Sequence, residues 1–292
     1  MIFIKIIVLG STGMLGQELT RYLSSLDNSV VGIARTNADY NIDISDDKKL
    51  LKCFEIEKPD IIINTVAIVN LNNCELNKGR AYLVNSRPAS VISDYCFENN
   101  IYFIQISTDH YYTGDNDKKH SEIDEICLLN EYARTKYLAE VFALKNPQSL
   151  VIRTNIVGFR GWENETFVEW ALNALKSQES INVFEDYYTS SIDVYSFSRI
   201  LWDLIKNKPF GIYNLSSSEV FSKKDFIFSL AHGFQLSYSN CHPAKINNDG
   251  LRRATSLGLK TKKIEDYLGY KLPTLKEVID SLKEHYEDDK NE

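Results

Sequence analysis

No stretch of this chain approaches the roughly 20 consecutive apolar residues that a membrane-crossing helix needs, so no membrane partner is expected. Nor is there an excess of basic residues. The 33 Lys and Arg face 40 Asp and Glu, giving a formal charge of −7 and a pI near 5.4. Nucleic acid needs a basic face, so it is excluded as the main partner, although a local basic pocket for a small phosphorylated ligand fits the balance. Cysteine is scarce and unpatterned. Cys53, Cys74, Cys96, Cys127 and Cys241 are odd in number and lack metal-ligand spacing, which suits reduced thiols in a cytoplasmic protein. The five histidines are scattered too, so no metal is expected. Internal repeats and low-complexity linkers are absent. The apolar opening, residues 2–9, is short, contains Lys5 and lacks a small-residue cleavage site, so it reads as a strand rather than an export signal.

What is present alternates. The 292 residues are 43% hydrophobic, enough for one large α/β domain with a smaller lobe. Strands are expected at 2–9, 29–34, 60–66, 102–107 and 150–153, and helices at 14–26, 47–57, 77–99 and 130–145. The run Asp60-Ile61-Ile62-Ile63-Asn64-Thr65-Val66 has the unbroken apolar character of a strand buried on both faces. This rhythm predicts a Rossmann-type doubly wound parallel sheet. Beyond residue 155 the rhythm breaks, with helices expected at 164–178, 193–207, 222–233 and 274–286, a strand at 211–215, and a charged tail from Glu287 to Glu292. A dinucleotide-binding domain over 1–155, also receiving about 182–215, is therefore expected to interleave with a substrate lobe made of 156–181 and 216–292.

Gly10-Ser11-Thr12-Gly13-Met14-Leu15-Gly16 spells G-x-x-G-x-x-G between the first strand and the first helix. Glycines there permit a tight turn and close backbone approach to a pyrophosphate, which the helix N-terminus then faces. Gly10, Thr12, Gly13, Met14 and Leu15 are the candidates to line it. The second strand ends Ala34-Arg35-Thr36 without the acid that often holds a ribose 2′-hydroxyl. Arg35 is either the partner of a 2′-phosphate, favouring NADPH over NADH, or a solvated arginine.

Tyr132 and Lys136 form Y-x-x-x-K, and residues four apart share a helix face. A lysine charge beside a phenol favours phenolate and brings its proton into working range. The same spacing recurs at Tyr267/Lys271 and Tyr286/Lys290, but only the first pair opens a helix after a buried strand. That strand runs into Ser107-Thr108-Asp109, on the sheet edge where open α/β sheets bind ligands. Ser107 and Thr108 are either hydroxyls for a substrate oxygen or a capped strand end.

Together these residues resemble the extended short-chain dehydrogenase/reductases, and within them the dTDP-4-dehydrorhamnose reductase subfamily. The resemblance is carried by the glycine loop; by Asn41 to Asp46; by Pro59 to Ala67; by Val84-Asn85; by Ile106 to Gly114; by Glu122; by Asn130 to Lys136; and by Ile152-Arg153-Thr154. It implies that Asp43 and Ile44 hold the adenine and that Thr65, Val66 and Ala67 line the cofactor. It implies that Thr108 hydrogen-bonds the substrate carbonyl, Tyr132 protonates it, and Lys136 tunes Tyr132 and holds the nicotinamide ribose. Ser107, Asp109 and Ile156 would meet the sugar. The implied substrate is a nucleotide sugar, dTDP-linked, reduced at a 4-keto group. Family members occur as homodimers and as monomers.

Departures bear on the substrate. His110 stands where related 4,6-dehydratases carry a glutamate, which argues against dehydration. Ile156 replaces a tryptophan near the sugar, so the sugar need not be the rhamnose precursor. Arg252 and Arg253 match a phosphate-holding segment in part and either grip a diphosphate or are solvated. Two other readings share the scaffold: an epimerase retaining NAD, and a non-catalytic dinucleotide-binding regulatory subunit.

Overall fold

The computed structural model describes residues 4–161, 165–246 and 250–288, so the first residues of the opening strand, Asn164 and most of the charged tail lie outside it. The chain divides into two compact units. The first comprises residues 1–108, 128–153 and 198–213; the second comprises 109–127, 154–197 and 214–292.

The first unit is built on β1 (Lys5–Leu9), β2 (Ser29–Ala34), β3 (Tyr40–Asn41), β4 (Ile61–Asn64), β5 (Tyr102–Ile106) and β6 (Ser149–Arg153). With the strand Gly211–Asn214 they form a seven-stranded sheet in the order Gly211–Asn214, β6, β5, β4, β1, β2, β3. Every pairing from β3 across to β6 is parallel. The chain winds outward from β1 to β3, then returns to β4 on the other flank of β1. The C-terminal ends of β1 and β4 thus border the reversal of strand order, where such sheets bind ligands. β4 and β5 are buried along their whole length, which explains their unbroken apolar runs.

Helices α1 (Met14–Ser24) and α2 (Asp47–Glu57) follow β1 and β3. Leu15, Leu19 and Leu23 form the buried face of α1. The expected single helix over 77–99 is instead α4 (Lys78–Asn85) and α5 (Arg87–Glu98), preceded by a short α3 (Leu71–Leu76). The break has a local cause: Pro88, in the first turn of α5, has no N–H to continue the α4 ladder. Asn70 and Asn77 cap α3 and α4 by accepting from Asn73 N–H and Arg80 N–H. α6 (Glu131–Ala143) starts where Asn130, fully buried, accepts from Ala133 N–H at 2.9 Å.

The second unit carries short pieces. Ile156–Val157 pairs in parallel with Ile192–Asp193, and Ile181–Phe184 with Cys241–Ala244. Tyr188–Thr189 lies between Phe221–Ser222 and Ser256–Leu257. The helices Phe167–Ser177 and Lys223–Gly233 begin in reciprocal capping boxes, Thr166 with Glu169 and Ser222 with Asp225. The helix Val194–Asn207 passes from the second unit into the first. No helix of the described residues is long and apolar enough to cross a membrane. All five cysteines are free, and among the described residues no cluster suits a metal ion.

Candidate active site

The glycine loop leaves β1 and leads into α1. Gly10 adopts φ +84°, and a Cβ there would meet Thr65 Oγ1 at 2.6 Å and Val66 Cγ2 at 3.1 Å. Gly16 is required for another reason: a Cβ would lie 2.0 Å from the Gly10 carbonyl oxygen, so α1 packs directly on the loop backbone. Gly13 is the N-cap of α1, with no side-chain cap and no acid in the first turn. The helix therefore presents bare N–H groups and a positive dipole end, the arrangement that receives a pyrophosphate. These observations fit a dinucleotide, and Thr12, Gly13, Met14 and Leu15 lie at this turn.

The structure brings Thr65 and Val66 against this loop. Thr65 Oγ1 donates to Leu9 O at 2.7 Å, and Val66 N–H donates to Asn64 Oδ1 at 3.1 Å. The half-buried Ala67 continues this backbone, and Asn85 clamps Ile68 by accepting from its N–H at 2.7 Å and donating to its carbonyl at 3.2 Å. Asn85 also donates to Thr135 on α6 at 3.1 Å, so one side chain ties the segment after β4 to α6.

Arg35 follows β2, exposed, with no ion pair or hydrogen bond among the described residues. Asp43 is differently placed. Arg80 donates to its carboxylate at 2.6 Å and Ser45 at 2.7 Å. Burial would raise its pKa, but the Ser45 and Arg80 hydrogen bonds outweigh it and hold the group at about 2. The Asp43 carboxylate therefore shapes the loop around Ile44, which is buried.

Tyr132 and Lys136 lie one turn apart on α6, 8% and 3% exposed. Lys136 Nζ donates to the Ile106 carbonyl at 2.7 Å, which seats it at the end of β5. Burial pushes its pKa down to about 8, and the Glu140 carboxylate opposes that fall. Thr108 is buried two residues beyond Ile106. Three groups, a hydroxyl, a phenol and an ammonium, are thus held at one edge of one sheet, the edge that also carries the glycine loop. Such a set can bind a carbonyl oxygen, deliver a proton to it and stabilise the resulting charge. Ser107 Oγ donates to Glu140 Oε1 at 2.6 Å.

In the second unit, Asp109 accepts from Asn155 Nδ2 at 2.8 Å, and Asn155 accepts from Ser191 at 2.7 Å. Ile156, half-buried, continues that strand. His110 is driven to a pKa of about 4 by burial, with the Lys223 and Arg253 charges adding to it, so it is neutral near pH 7. Glu122 accepts from Asn214 N–H at 3.0 Å and has a structural role inside this unit. Arg252 and Arg253 are exposed.

Sequence reasoning passed over Glu140, Asn85 in its clamping role and Lys223. Glu140 had a signal, since it continues the four-residue spacing of Tyr132 and Lys136 on one helix face. Lys223 had none. Its ammonium lies 4.1 Å from the centre of the Phe167 ring, and burial lowers its pKa to about 8 against the opposing pull of Asp109.

The sheet, the glycine loop and the Thr–Tyr–Lys set define a dinucleotide-binding α/β protein of the short-chain reductase kind. The family model of the RmlD substrate binding domain matches residues 4–287, and the chain belongs to that family. It is 25% identical over 96% of its length to the probable low-salt glycan biosynthesis reductase Agl14 of Haloferax volcanii, covering 98% of that protein. It is 27% identical over 92% of its length to dTDP-4-dehydrorhamnose reductase of Escherichia coli, covering 93% of that protein. In fold it is similar to dTDP-4-dehydrorhamnose reductase of Bacillus anthracis in complex with NADP, with a TM-score of 0.88, 20% identity, and coverage of 98% and 99% of the two chains.

Proposed function

We propose that this chain is a cytoplasmic, NADPH-dependent reductase of the 4-keto group of a nucleotide-activated 6-deoxysugar, dTDP-linked. The observation that carries the reading is the placement of Thr108, Tyr132 and Lys136 at the sheet edge that also bears the Gly10–Gly16 loop. The cofactor, when bound, supplies the hydride. Gly10, Gly13 and the start of α1 hold its pyrophosphate, Arg35 its 2′-phosphate, and Thr65, Val66 and Ala67 its flank. Thr108 donates a hydrogen bond to the substrate carbonyl and fixes its orientation. Tyr132 delivers the proton to the carbonyl oxygen. The Lys136 ammonium eases that proton's departure by stabilising the phenolate left behind.

The family resemblance supports Asp109 and Ile156 as residues that choose the sugar. His110 stands beside Asp109 where the dehydratases carry a second acid, which supports reduction over elimination of water. The test is loss of reduced-nicotinamide absorbance on adding enzymatically generated dTDP-4-keto-6-deoxy sugar, with NADPH and NADH in parallel. Sugar-dependent oxidation that prefers NADPH is expected. Protein that binds NADPH yet oxidises it with no keto sugar would overturn the reading in favour of a regulatory subunit.

A further inference from the structure

We propose that Glu140 is a positioning residue of this site: through Ser107 and Arg153 it locks the end of β5, and with it Thr108, onto the face of α6 that carries Tyr132 and Lys136. The inference rests on the reductase reading. It starts from a two-point grip. Lys136 Nζ donates to Ile106 O at 2.7 Å, and the next residue, Ser107, donates to Glu140 Oε1 at 2.6 Å. Arg153 on β6 completes the arrangement, with Nη2 at 2.8 Å from Oε2 and Nε at 3.1 Å from Oε1. The ion pair is nearly sealed from water, at 1% and 3% exposure for the two side chains. Such a pair is weak evidence for stability, because desolvation offsets its attraction. What it does supply is direction. Two consecutive residues of the β5 tail are fastened to α6, and the residue after them is Thr108. Tyr132, Lys136 and Glu140 recur every four residues, so α6 acts as a ruler that sets the hydroxyl of Thr108 against the phenol.

Glu140 also acts by charge. It is the carboxylate that opposes the loss of the Lys136 proton. Arg153 faces the same place from β6, and the neutral Ser86, just before α5, and Ser93, within it, donate to carbonyls of α6. Glu131, Arg134 and Glu75 interact with one another at the start of the helix.

The test follows the Lys136 ammonium by NMR on lysine-labelled protein, assigned by its disappearance in Lys136→Met. Glu140→Gln is expected to lower its titration midpoint below that of wild type, and Arg153→Met to raise it. Midpoints that stay put, or move the same way, would overturn the charge role. Ser107→Ala covers the case in which the charge variants do not fold. It removes the hydrogen bond to Glu140, and kcat is expected to fall about tenfold with KM unchanged. A loss confined to KM would return Ser107 to the substrate and overturn the grip. Wild-type protein that reduces no keto sugar would defeat the functional reading alone, since the NMR arm needs no substrate.

Discussion

At the scale of single residues, the active site depends on proton positions. Tyr132→Phe keeps the ring and removes the proton, so turnover is expected to fall by about 10²–10⁴-fold while NADPH affinity stays within error, checked by stopped-flow and fluorescence titration. Lys136 sets a pH limit. Its folded pKa of about 8 lies below its ordinary 10.5 because of burial, so the charge is present below pH 8 and lost above it. Activity is expected to decline above about pH 8, and the alkaline limb of the pH–rate profile should survive Lys223→Met. Linkage has the opposite sense. Between about pH 8 and 10.5 the unfolded chain binds the extra proton, so this residue's effect on stability improves as pH rises. In the proposed function Arg35 would carry the cofactor preference. Charge-assisted hydrogen bonds contribute about 1.5–3 kcal/mol, so Arg35→Ala is expected to weaken NADPH about ten- to a hundredfold and leave NADH unchanged, measured by calorimetry.

At the scale of elements, the decisive contact is between α1 and the loop that starts it. A methyl group at Gly16 would enter the Gly10 carbonyl, and backbone cannot yield as a side-chain tip can. Gly16→Ala is expected to destabilise by about 1–3 kcal/mol and to abolish measurable dinucleotide binding, read from urea unfolding and NADPH titration. Retained binding would mean that the helix can slide on the sheet without disturbing the phosphate cradle. The split between α4 and α5 belongs to this scale as well. It sets Asn85 at the end of α4, from where it reaches both Ile68 and Thr135.

At the scale of the whole molecule, the first unit draws on three separated segments. The strand Gly211–Asn214 flanks β6, and Tyr102 donates to the Pro209 carbonyl at 2.6 Å. A fragment ending at residue 155 would leave the β6 edge bare, and an exposed edge invites aggregation. Such a fragment is expected to be poorly soluble and to bind no NADPH, while the full chain binds it; a soluble, NADPH-binding fragment would show the later segments to be dispensable.

Much of this was legible in one dimension, and the reason is physical. Burial on both faces writes β1 and β4 as apolar runs, close backbone approach writes Gly10 and Gly16, and a shared helix face writes Tyr132 and Lys136 four apart. Local rules also explain where the reading of 77–99 as one helix went astray, because Pro88 carried the signal and was outweighed by the length of the pattern. Other features depend on partners distant in the chain. Ser107, expected to meet the sugar, donates to Glu140, 33 residues on, and Asp43, expected to hold the adenine, accepts from Arg80, 37 residues on. The chain by itself determined the alternating sheet, the glycine loop and the Tyr132–Lys136 spacing, since each follows from neighbours within a few residues. Only the tertiary structure decided which buried polar side chains hold one another, because a hydrogen bond or ion pair formed across the fold leaves no periodic trace in the sequence.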